Sequence, residues 1–395
     1  MRLRFRRVRA ARDQGHDSGE LVGGDVIVLS GGGARGAAQA GMLQVLISAG
    51  VRPVAYVGCS AGALNAVFMA AAAPVMPCGV GSGWTGGSSG ASVDVASTAG
   101  GGEAPRLSDV DAALVCAGER AGAAGARPLN RAAPADPQAR VEELISAWRS
   151  VEGKSVFSGS KLRQATHLLR RHPYLYQPDG LRDMIATWAA PFLRIEDLPV
   201  RCRIVTTNVT TGKPTYHDVG RIDEVLLASA AIPGVFPPVA LPDPTAGGMA
   251  LHVDGGVGDL IPIAGAVGLN PGRIFVLDVS GNPLLEEANN PVDALVVALG
   301  VSSKLRGEVD FGRPVEITEI TLPHTRVRMM DFSRTEELLD LGRVAAREAL
   351  SAPAEIAPRG RIEVSRPWAP RRVGEELSAA WKRTRRRGRG SVAAQ

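Results

Sequence analysis

Aromatic residues are scarce in this sequence of 395 residues: Phe, Trp and Tyr together make up 4%, whereas 45% of all residues are hydrophobic. The length is sufficient for one large domain or two ordinary ones, each with a buried core. With few large rings available, that core must consist mainly of Val, Leu, Ile and Ala packed through close backbone approaches. This composition favours a globular α/β protein.

Cysteine is also scarce, and the four present, Cys59, Cys78, Cys116 and Cys202, include no C-x-x-C pair. They have no metal-ligand spacing with the scattered histidines, so we predict neither a disulfide framework nor a metal site. The Arg-rich start runs into a polar stretch at 13–20 instead of an apolar segment with a cleavage site, which argues against a secretory signal. We therefore expect a cytoplasmic protein.

The sequence lacks a large overall charge, with a formal net charge of +5, and much of its basic excess lies near the two ends. Both ends lack the apolar periodicity needed for packing, so we predict a basic N-terminal arm at 1–21 and a basic, disordered tail at 353–395. Solvated arms are the simplest interpretation. Peripheral contact with an anionic membrane is the alternative, and nucleic-acid binding is less favoured.

Strand and helix patterns alternate at the start of the intervening domain, 22–352. Strands are predicted at 25–30 and 54–59, each followed by a helix, at 36–49 and 61–73. Residues 54–75 are uncharged and long enough to cross a bilayer. Their Gly, Ala and Ser content favours a strand, a turn and a helix instead. The β-α-β-α order implies a parallel sheet that is covered on both faces.

A Gly-, Ser-, Ala- and Pro-rich stretch at 74–140 has little periodicity and is predicted to be a flexible insertion. After it, helices are predicted at 141–148, 181–188 and 222–230, and strands at 201–207, 214–219, 250–253, 273–279 and 315–322. A final helix is predicted at 334–350. Ser333 and Glu336 have the spacing of a capping box at its start, and Pro353 follows its end.

The pentapeptide from Gly58 to Gly62 matches G-x-S-x-G, a turn so tight that its flanking positions exclude side chains and expose the central Ser60. The same pattern occurs at 86–90, where no strand precedes it and no helix follows. Ser60 instead stands between an apolar strand and a helix N-terminus, where free amides favour developing negative charge. We therefore predict that Ser60 is the nucleophile of an ester hydrolase.

A glycine run, Gly31, Gly32 and Gly33, also lies between a strand and a helix, and with Gly36 it completes G-x-G-x-x-G. A dinucleotide site needs an acidic residue about 20 positions later, whereas the next acidic residue after the second strand is Asp94. No Gly-Lys-Ser/Thr is present for a P-loop. A run of bare amides before a helix suits the oxyanion of a tetrahedral intermediate, which is the role we predict.

A serine nucleophile needs a base, and Asp254 is the best candidate because it ends a predicted strand and is followed by Gly255-Gly256. Most G-x-S-x-G enzymes use a Ser-Asp-His triad. His252 lies two residues back along the strand from Asp254, about 7 Å away. His324 follows Asp254 in the order of a triad and is the alternative base.

Together, Gly31–Gly36, Gly58–Gly62 and Asp254-Gly255-Gly256 resemble the three motifs of the patatin-like phospholipase family. The block 228–239 resembles the segment before the family's aspartate motif, and 175–185 resembles another stretch. The resemblance covers about 22–350 without the insertion. It implies a three-layer α/β/α sandwich with a mainly parallel central sheet.

The resemblance also implies a Ser60–Asp254 dyad without histidine, an acyl-enzyme, lipid ester substrates, and no metal or organic cofactor. Arg35 would bind the oxyanion side together with the glycine amides. One departure is Asp259, which stands where the family usually has Asn. If Asp259 approached Asp254, repulsion would raise the pKa of one carboxyl group. Besides a dyad hydrolase and a triad esterase with His324, a third hypothesis is a membrane- or nucleic-acid-binding protein whose hydrolase core is catalytically silent.

Overall fold

The computed structural model describes residues 23–71, 136–157, 174–243, 248–281 and 308–352, and the backbone of 355–357 and 361–363. All of them belong to one compact unit. The strands are β1 Gly24–Leu29, β2 Pro53–Cys59, β3 Arg201–Asn208, β4 Pro214–His217, β5 Val239–Asp243, β6 Gly248–Asp254, β7 Pro271–Asp278, β8 Glu308–Asp310, β9 Val315–Thr321, β10 Glu355–Ala357 and β11 Arg361–Glu363. The helices are α1 Gly36–Ser48, α2 Ala61–Ala70, α3 Pro137–Ser150, α4 Gly153–Val156, α5 Asp179–Ala189, α6 Ile222–Ser229, α7 Gly256–Asp259 and α8 Thr335–Leu350. Short 3-10 turns lie at Gly33–Arg35, Ile195–Asp197, Ile263–Ala266 and Phe332–Arg334.

The central sheet has the strand order β10-β9-β7-β1-β2-β3-β6-β5, and β4 also pairs with β3. Its middle five strands, β9, β7, β1, β2 and β3, are parallel. The strands outside this group are antiparallel to their neighbours. The predicted α/β fold is therefore confirmed, and its parallel character is confined to the middle of the sheet.

Strand β6 runs in the opposite direction to β3, so Asp254 does not end a parallel strand as its place in the sequence suggested. His252 pairs with Asn208, the last residue of β3, and Asp254 pairs with Thr206. Most of β6 therefore extends beyond the carboxyl end of β3, and only its last residues lie beside it. This offset register brings Asp254 beside the carboxyl end of β3, although β6 approaches it from the opposite direction.

Both faces of the sheet are covered. Alternating strand residues such as Ile27 and Leu29 pack with helices α1, α2, α3 and α8 in one apolar cluster. Residues of the opposite alternation, such as Val26 and Val28, pack with residues 261–269 in a second cluster. The pattern is that of a sheet buried on both sides.

Helices α1 and α8 approach each other closely through small residues, as the composition predicted. A Cβ added at Gly41 would lie 2.2 Å from the carbonyl oxygen of Leu339, and one added at Gly342 would lie 2.0 Å from that of Ala38. Only glycine allows the two backbones to come this close.

One predicted helix start is wrong by four residues, and the cap predicted for another helix is not formed. Helix α3 begins at Pro137 instead of 141, because the Asp136 side chain accepts a hydrogen bond from Gln138 N and proline suits the first helical position. The predicted insertion therefore ends before residue 136. Ser333 does not open the last helix through a capping box. Instead, the Asp331 side chain accepts from Ser333 N at the preceding 3-10 turn.

The start of the predicted C-terminal tail belongs to the fold. Glu355–Ala357 pairs with β9, and Arg361–Glu363 pairs with β8. The boundary at 352 is therefore too early. The basic arm at 1–21, most of the insertion and residues 364–395 lie outside the described residues.

The uncharged stretch that begins at residue 54 divides into β2, a turn at Ser60 and α2, as predicted. Among the described residues, no helix is both long and apolar enough to span a membrane.

Candidate active site

Ser60 lies in a sharp turn between β2 and α2, with φ 53° and ψ −123°. A residue with a side chain rarely adopts this conformation, which costs about 1–3 kcal/mol and persists only where the surroundings impose it. A Cβ at Gly58 would lie 2.4 Å from Gly62 O, and one at Gly62 would lie 2.5 Å from Leu29 O. The two glycines are thus required by close backbone contacts on either side of Ser60.

The Ser60 hydroxyl donates a 2.7 Å hydrogen bond to Asp254 Oδ2. The other oxygen, Oδ1, accepts from Gly256 N at 2.7 Å. Burial raises the pKa of Asp254 from 3.8 to about 6, while the bonds from Ser60 and Gly256 act in the opposite direction. The structure thus brings the predicted nucleophile and base into direct contact, with a carboxyl group that is mostly ionised at neutral pH.

Two hydroxyl side chains that were not predicted from the sequence contact this pair. Ser229 Oγ accepts from Ser60 N at 3.0 Å and donates to Val205 O at 2.6 Å. Thr207 Oγ1 donates to Asp254 O at 3.0 Å. Ser229 lies in the block 228–239 that carries the family resemblance, which was the only signal in the sequence pointing to it.

The glycine run lies against the nucleophile, since a Cβ at Gly31 would be 3.4 Å from the Cβ of Ser60. The Gly31 amide already donates to Leu260 O at 2.9 Å. The Gly36 amide donates to Gly33 O and Ala34 O. The amides of Gly31 and Gly36 are therefore engaged within the protein, which differs from the predicted oxyanion role.

Gly32 and Gly33 differ from their neighbours. Within the part of the chain that the structure describes, neither amide donates a hydrogen bond. These two N–H groups remain available to an oxyanion.

Arg35 does not present its guanidinium as a bare cation beside Ser60. The side chain is buried, with Nε donating to Val327 O at 2.9 Å and Nη1 to Ser280 O at 3.0 Å. Arg35 N donates to Gly32 O. These contacts tie the glycine loop to the chain segments that follow β7 and β9, so in this structure Arg35 braces the loop.

A buried amide network supports α1 and α2 beneath the glycine loop. Gln39 Nε2 donates to the carbonyl oxygens of Ser30 and Leu277, and its Oε1 accepts from Asn65 Nδ2 at 2.8 Å. Trp148 Nε1 donates to Asn65 Oδ1 at 2.8 Å. The network supplies donors to two carbonyl groups at this end of the sheet, that of Ser30 just after β1 and that of Leu277 in β7, which also accepts from Ser30 N.

The histidines near Asp254 have structural partners. Thr206 Oγ1 lies 2.7 Å from His217 Nε2 and 2.8 Å from His252 Nδ1. Burial lowers the pKa of His217 to about 4 and also lowers that of His252, so both rings are neutral at pH 7. His324, the alternative base, is an exposed residue. His16, His167 and His172 lie outside the described residues.

Asp259 is buried and accepts a 2.5 Å hydrogen bond from the Tyr216 hydroxyl. Its charge is not among the causes of the raised pKa of Asp254, which is explained by burial. The expected repulsion between the two carboxylates is therefore not the origin of the shift.

No group of three or more His, Cys, Asp or Glu side chains within the described ranges is arranged to hold a metal ion. The Ser60 hydroxyl contacts a carboxylate, and the Ser60 amide contacts the hydroxyl group of Ser229. This arrangement suits nucleophilic attack by Ser60 on a carbonyl carbon.

Comparison with known proteins relates this chain to one protein family. A family model described as patatin-like phospholipase matches residues 27–267, more than half of the chain. Uncharacterized NTE family proteins of Mycobacterium bovis and Mycobacterium tuberculosis are 31% identical over 104 residues, which is 26% of this chain and 26% of each relative. The chain thus matches about a quarter of the length of these curated relatives.

Among solved structures, VipD of Legionella pneumophila is 14% identical with a TM-score of 0.35, and the match covers 85% of this chain and 68% of VipD. The type III effector protein ExoU, from Pseudomonas aeruginosa, is 12% identical with a TM-score of 0.32. That match covers 87% of this chain and 55% of ExoU.

Proposed function

Because the chain belongs to the patatin-like phospholipase family, we propose that it hydrolyses acyl esters of lipids, with Ser60 as nucleophile and Asp254 as general base. The observation that carries this proposal is the 2.7 Å hydrogen bond from Ser60 Oγ to Asp254 Oδ2. A serine hydroxyl becomes an effective nucleophile only when a neighbouring group accepts its proton. Here the carboxylate contacts the hydroxyl directly, in the position that an imidazole occupies in a triad.

The pKa of Asp254 suits the role of a base at neutral pH. A carboxyl group at its ordinary pKa is a weak base, whereas burial raises the pKa of Asp254 to about 6. General bases work best when their pKa is close to the working pH. At pH 7 roughly nine in ten molecules would hold Asp254 ionised and ready to accept the proton.

In the proposed acylation step, Ser60 Oγ attacks the carbonyl carbon of the ester while its proton moves to Asp254 Oδ2. The carbonyl oxygen becomes an oxyanion, to which the amides of Gly32 and Gly33 donate hydrogen bonds. Each such donor contributes about 3 kcal/mol to transition-state stabilisation. The bond to the leaving alcohol then breaks, and Asp254 returns the proton to the departing oxygen.

In the deacylation step, water attacks the acyl-enzyme and gives one proton to Asp254. A second tetrahedral intermediate forms in the same oxyanion site. Its collapse breaks the bond to Ser60 Oγ, which takes the proton back from Asp254. The fatty acid is released and both residues return to their initial state.

The test is fatty-acid release from phosphatidylglycerol vesicles and hydrolysis of p-nitrophenyl butyrate by the full chain and by Ser60→Ala. We expect Ser60→Ala to lose activity by about 10³-fold or more, because the nucleophile is removed. Ser48→Ala is the matched control, since Ser48 is an exposed residue at the end of α1. Activity retained in Ser60→Ala contradicts the proposal, whereas loss on both substrates in Ser60→Ala alone supports it.

A further inference from the structure

The end of α6 and the residues just after it contact both members of the proposed dyad. Ser229, the last residue of α6, is fully buried. Its hydroxyl accepts a hydrogen bond from Ser60 N at 3.0 Å, and its carbonyl oxygen accepts one from Gly255 N at 3.3 Å. Two residues later, Ala231 O accepts from Asp254 N at 2.9 Å. One short segment thus holds the backbone of the nucleophile and the backbone of the base.

The Ser229 hydroxyl uses both its donor and its acceptor capacity. It accepts from Ser60 N and donates to Val205 O at 2.6 Å, so it connects the turn of the nucleophile to strand β3. Ser60 stands at the N-terminus of α2, where an amide has no partner within the helix. Without the hydroxyl, a buried N–H and a buried carbonyl group would both lose a partner.

The orientation of the Ser60 side chain depends on this bond. At φ 53° the backbone of Ser60 is strained, and the surroundings must hold it in place. The bond from Ser60 N to Ser229 Oγ fixes the amide on one side of that residue. A rotation of the peptide that precedes Ser60 would change the direction of its Cα–Cβ bond, and with it the distance from Oγ to Asp254.

We infer that Ser229 is a positioning residue: its hydroxyl and carbonyl groups set the distance between the Ser60 hydroxyl and the Asp254 carboxylate. This inference rests on the proposed function. The rate of an enzymatic reaction depends strongly on the placement of the reacting groups, because a displacement of about 1 Å can cost 10²-fold in rate. Supporting groups of this type determine how well a catalytic pair is organised.

The test compares Ser229→Ala and Ser229→Cys with the unmodified chain. In Ser229→Cys the side chain has the same shape as that of serine and is somewhat larger, but its thiol is only a weak hydrogen-bonding group. Titration with a fluorophosphonate first gives the fraction of active molecules, so that kcat refers to folded protein. We expect kcat per active molecule to fall by about tenfold to 100-fold in Ser229→Ala and less in Ser229→Cys, with KM little changed.

A second readout separates positioning from a structural role. The hydrogen bond from Ser60 lowers the pKa of Asp254. If Ser229→Ala loosens that bond, the midpoint of the rise in kcat with pH moves above its value in the unmodified chain. Val315→Ala is the control, because Val315 is fully buried but lies in the sheet far from Ser229. It belongs to β9, and three strands, β7, β1 and β2, separate β9 from β3. This substitution should lower Tm while leaving kcat and the pH midpoint unchanged.

Wild-type kcat per active molecule and an unmoved pH midpoint in Ser229→Ala would overturn the inference. If Ser229→Ala does not fold, the same two measurements on Ser229→Cys decide the question. The proposed function fails separately, through activity in Ser60→Ala. An inactive Ser60→Ala together with fully active Ser229 variants therefore rejects only the positioning role.

Discussion

Ser60 Oγ and Asp254 Oδ2 lie 2.7 Å apart, although the two strands that carry them run in opposite directions. Cys59 pairs with Val205 in the parallel ladder between β2 and β3, and Asp254 pairs with Thr206 in the antiparallel ladder between β3 and β6. Ser60, one residue after Cys59, is therefore level with Thr206 and with Asp254. Strand β3 sets the level of both residues.

The raised pKa of Asp254 predicts the pH dependence of hydrolysis. The carboxyl group must be ionised to accept the proton of Ser60, and burial raises its pKa to about 6. Hydrolysis should therefore be nearly absent at pH 4, increase tenfold per pH unit below the midpoint, and level off above pH 7. The measurement is kcat/KM against pH with an uncharged ester. A midpoint close to the ordinary pKa of aspartate, 3.8, would contradict the burial that the structure shows.

Asp254→Asn should abolish hydrolysis without destabilising the protein at neutral pH. The pKa of Asp254 is higher in the folded chain than the ordinary aspartate value of 3.8, so the folded state binds the proton more tightly. The free energy of unfolding is therefore highest below pH 3.8, falls as the pH rises to about 6, and stays at its lower value above that. The cost of the buried charge is on the order of 3 kcal/mol at pH 7. Asn carries no charge and avoids that cost.

The measurement is urea denaturation of both proteins at pH 4 and pH 7.5. We expect the free energy of unfolding of Asp254→Asn, relative to that of the unmodified chain, to be higher at pH 7.5 than at pH 4. A variant that is less stable than the unmodified chain by the same amount at both pH values would contradict the assignment of the shift to Asp254.

Gly62→Ala should disrupt the turn that presents Ser60. The added methyl group would lie 2.5 Å from Leu29 O and 2.6 Å from Ser30 O, both backbone atoms. We expect a loss of about 1–3 kcal/mol in the free energy of unfolding and a loss of activity. Gly248→Ala is the matched control, because the space around its Cβ is open. Equal behaviour of the two variants in thermal denaturation and ester hydrolysis would refute the explanation.

His324→Ala should retain activity. The Ser60 hydroxyl donates directly to a carboxylate, and His324 is exposed. In a Ser-Asp-His triad, by contrast, the histidine is the base, and its loss removes most of kcat. Steady-state kinetics on a p-nitrophenyl ester distinguishes the two. An inactive but folded His324→Ala would restore the triad hypothesis.

The sequence allowed Ser60 and Asp254 to be predicted because both stand at strand ends beside glycines that the turns require. It did not allow the direction of β6 to be predicted, since the apolar pattern of a strand is the same whichever way it pairs. The contact made by the Gly31 amide could not be predicted for a similar reason. Its amide is engaged by Leu260 O, a contact between distant parts of the chain that no local pattern encodes.

Ser229 illustrates a different limit. A serine at the end of a helix is common, and apart from the family resemblance of the block 228–239 nothing in the sequence distinguishes a surface hydroxyl from one that is buried against the turn at Ser60. Only the packing of α6 against β3 and the turn at Ser60 gives it the contacts with Ser60 N and Val205 O. The Asp136 cap of α3 could have been recognised, because Asp followed by Pro is a known helix start.

Covalent labelling of the full chain with a fluorophosphonate, followed by mass-spectrometric mapping of the modified residue, shows whether Ser60 is the nucleophile that Asp254 activates. We expect a single modified serine, Ser60, with a labelling rate that increases with pH through a midpoint near 6 and is lost in Asp254→Asn. Labelling at another serine, or labelling of Ser60 that is unaffected in Asp254→Asn, would contradict this prediction.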